Sequence, residues 1–575
     1  MNAANRDLSQ KLIHDICTDI KITEIDNGYR INYIGNLENF DTYISIIYES
    51  GFIPDFKNGG YICQSFSDIQ KHFPNVRHPL DAIGKDMKLQ PYLYQKEAIN
   101  FALNHQNSLL ILPCGAGKTP VGIGSYLELT KAGIVSTQGL IIVKASLKKQ
   151  WKAEVSKFTS LTAEVISTYS EIKQKYKNKG ENVIESNFKS QFELADILIV
   201  NYETLLDEKV LEEILLKKIE FIMCDEIHYI KNASSKRSKA LYKLNNVKIK
   251  IGATATPITK DPRDVYGIFK FIEPEKFGKV SQFNRDYIKY AGFGKIAGFK
   301  NLEHLKNRIK DNLFIKTKEE ISSQLPSLRV FEINIDLTLS QLKLNEQIMK
   351  ELDELNKQDF QIRSKLKSEL EAKNNEKLSE ISAKILALQT FAQELTDSSK
   401  LLKNSDSKMS QHYGESLNDE NPKLDRCVEL VSEIINSGEK VCIFSKFERM
   451  QTILADSLSA FGKIAFINGA LSADQRYEEA YTKFRDNDEY KILLCSDAGA
   501  EGLNLSRCKY LIEYDLATSY AIQTQRQGRL ERADSVHDNV VCYQLIANNS
   551  WDEIQKRIIE KKEGFDENII KSLRI

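Results

Sequence analysis

No run of about 18 apolar residues occurs in this chain, so no membrane-spanning helix is expected. The first ten residues, Met1 to Gln10, are polar and lack an apolar signal core, which predicts an intracellular protein. Proline is scarce at 11 residues, and no low-complexity tract or short-period repeat is present. The 9 cysteines are scattered, with no C-x-x-C pair. That excludes a zinc ribbon and points to free, mostly buried thiols in a reducing compartment. Charge of one sign is also missing: 80 Lys+Arg balance 80 Asp+Glu. Net charge therefore gives no support for a polyanionic partner, although it permits a locally basic cleft.

What is present is the composition of a large globular enzyme, 42% hydrophobic and 28% charged over 575 residues. The length is too great for one core. The apolar run Leu109–Leu112 reads as a buried parallel strand, followed by Pro113-Cys114-Gly115-Ala116-Gly117-Lys118-Thr119 and a segment, Pro120 to Leu129, able to form a helix. Strand, glycine-rich turn and helix make a phosphate-binding loop. Glycines let N–H groups turn inward, and the helix N-terminus adds its positive dipole end. Lys118 would reach the outer phosphates and the Thr119 hydroxyl would hold Mg²⁺. Leu112 stands where the first Gly of the common pattern would be.

Strands alternating with helices, at Leu109–Leu112, Gly139–Val143, Ile197–Val200, Ile219–Cys224 and Val247–Ile251, predict a parallel sheet covered on both faces. A second series comes later in the chain: Lys440–Ser445, Ile464–Asn468, Lys491–Ser496, Tyr510–Tyr514 and Val540–Ile546. Between them, Phe331, Ile333, Ile335 and Leu337 alternate with polar residues, as in a half-buried strand opening a new region. Gln341 to Lys403 is charged and helical, with Leu352, Leu355, Ile381, Ile385, Leu388, Phe391 and Leu395 at core spacing. The fold class expected is α/β, with two parallel-sheet lobes. The boundaries expected are a small α+β module of unreadable role over 1–85, lobe 1 over 86–275, helical protrusions and linker over 276–422, and lobe 2 over 423–575.

Further motifs carry chemistry. The strand Phe221–Cys224 delivers Asp225 and Glu226 at its C-terminal end, where open α/β sheets bind ligands. Asp225 would hold Mg²⁺, and Glu226 would deprotonate an attacking water. Gly252-Ala253-Thr254-Ala255-Thr256-Pro257 succeeds another strand with small hydroxyls able to bond the acidic pair. In the second α/β region, Gln525-Arg526-Gln527-Gly528-Arg529-Leu530-Glu531-Arg532 sets Arg529 and Arg532 three apart. On a helix they would share one face and suit phosphate contact. A site shared between two lobes, closing on ATP and opening after hydrolysis, is the economical reading.

The ordered set LPCGAGKT, DEIH, GATATP, SDAGAEGLNL and QTQRQGRLER resembles the superfamily-two helicase-type ATPases with two RecA-like lobes. More narrowly, it is similar to the Swi/Snf-type DNA translocases, through Asp225-Glu226-Ile227-His228-Tyr229-Ile230-Lys231-Asn232, Pro91-Tyr92-Leu93-Tyr94-Gln95 and Leu325-Pro326. The phosphate loop also resembles that of transcription-repair and some phage helicases, and Ala255 replaces a glycine common in the third element. The resemblance implies that Gln95 contacts adenine, and that Gly117, Lys118 and Thr119 hold phosphates and Mg²⁺. His228, Thr254 and Thr256 would couple hydrolysis to movement. Gln525, Arg529 and Arg532 would complete the site, with Gly502 nearby. DNA-backbone contacts are expected at strand ends: Lys144, Ser146 and Lys148; Asn201 and Thr204; Ser445, Lys446 and Ser496. The implied activity is ATP-driven, sequence-independent movement along DNA, duplex or branched. Rivals are a strand-separating helicase and a non-catalytic ATP-gated clamp. The N-terminal module could bind branched DNA, dock a protein partner or cap the first lobe. The Lys- and Asn-rich composition suggests a bacterial or viral source.

Overall fold

The computed structural model describes residues 20–25, 28–33, 43–44, 46–47, 50, 52–54, 60–63, 69, 71, 79–193, 195–255, 262–290, 296–365, 376–403, 410, 413–497 and 503–561. The chain divides into two compact units, 1–100 and 101–575. Among the described residues no helix is long and apolar enough to cross a membrane.

Among its described residues the first unit holds an antiparallel sheet of β1 (Ile20–Ile25), β2 (Gly28–Tyr33), β3 (Ile53–Pro54) and β4 (Tyr61–Cys63), in the order β1-β2-β4-β3. Ile20 and Ile22 on β1, and Ile31 and Tyr33 on β2, are each two residues apart, so one face of the sheet closes on Tyr43, Ile47, Cys63 and Ile69.

The second unit is α/β, as its alternating elements predict. Its first sheet is built from β5 (Asn107–Ile111), β6 (Gly139–Val143), β7 (Ala163–Val165), β8 (Ile197–Asn201), β9 (Phe221–Asp225), β10 (Ile249–Thr254) and β13 (Leu313–Ile315). The order is β13-β5-β10-β9-β6-β8-β7, all parallel. A small antiparallel pair, β11 (Ile288–Tyr290) and β12 (Ile296–Phe299), lies between β10 and β13 in the chain. The central strands are unbroken runs such as Leu-Ile-Ile-Val and Phe-Ile-Met-Cys because helices cover both faces. Registers place Ala253 beside Asp225, and Thr254 beside Ile111. Three neighbouring strands thus end at one level, and the loops leaving them converge.

The second sheet comprises β14 (Ser327–Ile335), β15 (Val441–Phe444), β16 (Lys463–Ile467), β17 (Tyr490–Cys495), β18 (Tyr510–Glu513) and β19 (Asn539–Ala547), in the parallel order β14-β19-β18-β15-β17-β16. β13 and β14 fall in the stretch read from sequence as protrusions and linker, yet each joins a sheet. Of the apolar residues expected on the inner face of a half-buried strand, Ile335 and Leu337 are buried, whereas Phe331 is 47% exposed on the edge strand and stacks on Tyr543 at 5.8 Å.

Two long helices, Leu339–Lys365 and Glu376–Asp397, pack through Leu344, Ile348, Leu352, Leu388, Phe391 and Leu395. They are tied to the second sheet by a buried cluster. Lys423 Nζ lies 3.0 Å from Asp397 and 2.7 Å from Asp552, and Gln393 donates to Asp552 at 3.0 Å. Burial would lower the Lys423 pKa, but Asp552 and Asp397 outweigh it and raise it. Lys423→Met should cost about 3–5 kcal/mol, because two carboxylates then lose their cation inside the protein. Burial already raises the Asp397 carboxyl, and without its cation that group would titrate higher still, so the deficit in urea unfolding should shrink as pH falls. A deficit independent of pH would contradict this.

Candidate active site

β5 runs into Leu112, whose N–H donates to the Thr254 carbonyl at 3.2 Å, and then into the loop Pro113–Gly117. Gly115 (φ 80°) and Gly117 (φ 71°) take the left-handed conformation that side chains disfavour. Gly117 caps the helix Lys118–Lys131. This helix sits close on the sheet because Gly122 has no side chain: a Cβ there would meet Met223 Sδ at 1.8 Å. Lys118 and Thr119 therefore occupy the first turn.

Beside them β9 ends at Asp225, and Glu226 comes next with φ 48°, ψ 50°, a costly conformation for a residue with a side chain. Trp151 Nε1 donates to Asp225 Oδ2 at 3.2 Å, the Glu226 N–H donates to Oδ1 at 3.0 Å, and the buried Tyr202 hydroxyl donates to the Asp225 carbonyl at 2.8 Å. Burial, reinforced by Glu226, pushes the Asp225 carboxyl up to about 6. Burial also acts on Glu226, but Lys118 and then His228 overcome it and hold that carboxyl well below the usual range. Lys118 Nζ is 3.8 Å from Glu226 Oε1. His228 Nδ1 is 3.3 Å from Oε2 and 3.1 Å from Thr254 Oγ1, and Thr254 donates to Oε2 at 3.4 Å. Thr256 and Gly502 lie outside the described residues.

The second sheet supplies the opposite wall. Gln525 sits partly exposed on the helix Tyr520–Gln527. That helix ends before Arg529 and Arg532, which lie in the turn beyond it rather than on one helical face. The turn is closed by Leu530 and Glu531 N–H groups donating to the Gln527 carbonyl at 3.0 and 3.1 Å. Gly528 lets the turn reach the loop of the first sheet: a Cβ there would meet Cys114 Cβ at 2.6 Å. Ala533 N–H donates to the Gly115 carbonyl at 3.2 Å. Arg529 and Arg532 both act electrostatically on Cys114, and Arg529 also on Lys118 and Glu226. Arg529 donates to the Leu503 carbonyl at 3.4 Å and Arg532 to Asp534 at 3.2 Å. Lys118, Asp225, Glu226, Arg529 and Arg532 are thus brought together from two sheets. Ion pairs join the same sides: Lys157–Asp534 at 3.2 Å, Lys149–Asp474 at 2.6 Å and Lys318–Glu531 at 2.6 Å.

A methyl group on Gly115 would stand 2.0 Å from the Glu531 carbonyl oxygen and would sit at a left-handed φ. Gly115→Ala should shift the loop out of this shape by about 1–2 kcal/mol. The expected consequence is nucleotide affinity weakened about 5–30-fold in calorimetry. Unchanged affinity would show that the loop does not hold phosphate.

Gln95 belongs to the first compact unit. It is buried, its Oε1 accepting from the Tyr92 N–H at 3.0 Å. The candidate DNA contacts lie at or past strand ends, but not all face outward. Lys144 succeeds β6, Ser146 lies in the turn Ala145–Leu147, and Lys148 opens the next helix. Burial lowers the pKa of Lys148 despite Glu171, Asp474 and Glu203. Asn201 and Thr204 are buried and bonded to each other. Ser445 is fully buried, its hydroxyl donating to Asp515 Oδ2 at 2.9 Å. The exposed Lys446 gives that oxygen its N–H at 2.7 Å. Ser496 is buried, its N–H donating to the Ile467 carbonyl at 2.8 Å.

Sequence reasoning missed Arg526, which is buried and donates to Asp497 at 2.7 Å and to the Asp515 carbonyl at 2.7 Å, anchoring the helix that carries Gln525. It also missed Trp151 and Tyr202 as supports of Asp225. Among the described residues no group of three or more His, Cys, Asp and Glu side chains is placed to hold a metal.

Residues 94–401 match the SNF2-related domain, and residues 422–534 the helicase conserved C-terminal domain. YwqA of Bacillus subtilis is 25% identical over 488 residues, 83% of this chain and 48% of that protein. An uncharacterized ATP-dependent helicase of Mycoplasma pneumoniae is 24% identical over 84% of this chain and 42% of its own length. Human chromodomain-helicase-DNA-binding protein 7 is 23% identical over 84% of this chain and 16% of its own length. The chain thus spans half or less of the length of these relatives. A solved Sulfolobus solfataricus SWI2/SNF2 ATPase core in complex with dsDNA is 22% identical, over 85% of this chain and 94% of that one, with a TM-score of 0.38. A phosphate loop and an acidic pair on one sheet, two arginines from another, and a domain match over more than half of the sequence agree: the chain belongs to the SNF2-related domain family.

Proposed function

We propose that this protein hydrolyses ATP and uses the cycle to move along DNA, duplex DNA above all, without reading sequence. The observation that carries the reading is the meeting of Lys118 and Glu226 with Arg529 and Arg532, contributed by two separate sheets, around one glycine loop. Lys118 and the N–H groups of the loop hold the outer phosphates. Glu226, with its Oε2 fixed by His228 and Thr254, takes the proton of the attacking water. Arg529 and Arg532 neutralise charge on the transferring phosphoryl group. Gln525 borders the same wall, and Gln95 is assigned to adenine by resemblance.

The donor set fits Mg²⁺. Asp225 is a buried carboxylate beside a second one, with its pKa raised, and a divalent cation there would compensate both. Thr119 and Asp225 would hold it, and when bound it would neutralise phosphate charge. Hydrolysis removes the group that both walls grip, so the arginine turn is released and the lobes part. Lys144, Ser146, Lys148 and Lys446 lie past strand ends on the two lobes, where a sugar-phosphate backbone can be held in turn.

The test is ATP turnover of the full chain with linear duplex DNA of mixed sequence, single-stranded DNA and RNA, and then a strand-separation assay. Turnover stimulated by duplexes of any sequence, without unwinding, supports the proposal. Strong unwinding of a tailed duplex would make the protein a helicase. Nucleotide binding without turnover would make it a clamp.

A further inference from the structure

We propose that Arg237 and Lys144, both held over the ring of Tyr229, grip neighbouring phosphates of the polynucleotide, with Tyr229 as their positioning residue. The inference rests on the function proposed above and assigns a contact, Arg237, that no strand-end argument picks out. Arg237 stands one residue into the helix Lys236–Tyr242, seven residues beyond the turn that carries Tyr229.

Lys144 Nζ lies 4.7 Å from the centre of the Tyr229 ring, and the Arg237 guanidinium carbon lies 5.4 Å from it. The ring is fixed. It stacks on Tyr202 with centres 5.6 Å apart and 17° between planes, and the buried Tyr202 is itself tied to the Asp225 carbonyl. The Tyr229 N–H donates to the Glu226 carbonyl at 3.0 Å. Two long cationic side chains that would otherwise sample many rotamers are thereby set on one rigid plate. Their ordering cost is met before a ligand arrives.

The acidic neighbour supports the assignment. Arg237 Nε lies 2.9 Å from Glu203 Oε1, and Asn201 donates to the other oxygen of Glu203 at 2.9 Å. Both partners of that pair are more than two-fifths exposed, so the pair is weak and a phosphate can displace it. Asn201, Glu203, Arg237, Tyr229 and Lys144 therefore form one chain of contacts at the ends of β6, β8 and β9. An even balance of charge over the whole sequence conceals a local pairing of cations of this kind. The chemistry it suits is a repeating phosphodiester backbone. A guanidinium and an ammonium on one plate can take successive phosphates and make no demand on the bases.

The test uses the full chain and fluorescence anisotropy of labelled mixed-sequence duplex DNA over a range of salt, with RNA of the same sequence as a second arm. Arg237→Gln should weaken binding to every sequence and reduce the salt slope by about 0.9, one phosphate contact. Tyr229→Leu should weaken binding about two- to fivefold through loss of the plate, while Tyr229→Phe, which keeps it, should bind like the parent. Equal behaviour of the leucine and phenylalanine variants would overturn the positioning role. An unchanged salt slope in Arg237→Gln, or a loss confined to one sequence, would overturn the phosphate contact. If Tyr229→Leu does not fold, the partly exposed Arg237 variant decides alone. Failure of the parent to bind any polynucleotide would instead overturn the function proposed above.

Discussion

Glu226→Gln should lower ATP turnover by about 10²–10⁴-fold while nucleotide affinity stays within a few-fold of the parent. The glutamine keeps the shape and can still meet Thr254 and His228, but it cannot take a proton. The local geometry sharpens the expectation. Glu226 is held in a left-handed backbone conformation, and its side chain sits among Lys118, His228 and Thr254. Stored strain of this kind persists where surrounding contacts over-determine a position. Turnover in single-turnover and steady-state assays separates the step from binding. Turnover that survives the substitution would remove Glu226 as the base.

Arg529→Ala should be at least as severe, about 10³–10⁵-fold in kcat, again with binding largely retained. The arginine comes from the other sheet and acts on Cys114, Lys118 and Glu226 across the interface. Arg529→Lys should rescue little, since an ammonium cannot reproduce a planar fork of donors. Loss of binding with kcat preserved would make Arg529 a ground-state clamp instead.

Much of this was legible in the residues. The sheet strands announced themselves as apolar runs ended by Gly, Pro or a charged pair, and the loop before Lys118 was readable from Gly115 and Gly117. Register was not readable. Nothing local says that Thr254 pairs with Ile111 and Ala253 with Asp225, and that alignment is what gathers the motifs. The supports of Asp225 were hidden for the same reason: Trp151 precedes it by 74 residues and Tyr202 by 23, and neither shows a partner in sequence. The spacing of Arg529 and Arg532 fits a shared helix face. Gly528 ends that helix, and the tightest contact a side chain there would make is with Cys114 on the other lobe. Ser445 illustrates the opposite limit. A serine at a strand end reads as available, but Asp515, 70 residues away, takes its hydroxyl.

Two sheets acting on one triphosphate are the heart of the proposed mechanism. The most direct test is the kcat of the double variant Glu226→Gln/Arg529→Ala beside the two single variants. Groups that work as a unit on one transition state lose most of their effect with the first substitution. The double variant is therefore expected to be within a few-fold of the slower single variant. Losses that multiply in full would show that the two residues act independently, and would contradict a site assembled between the lobes.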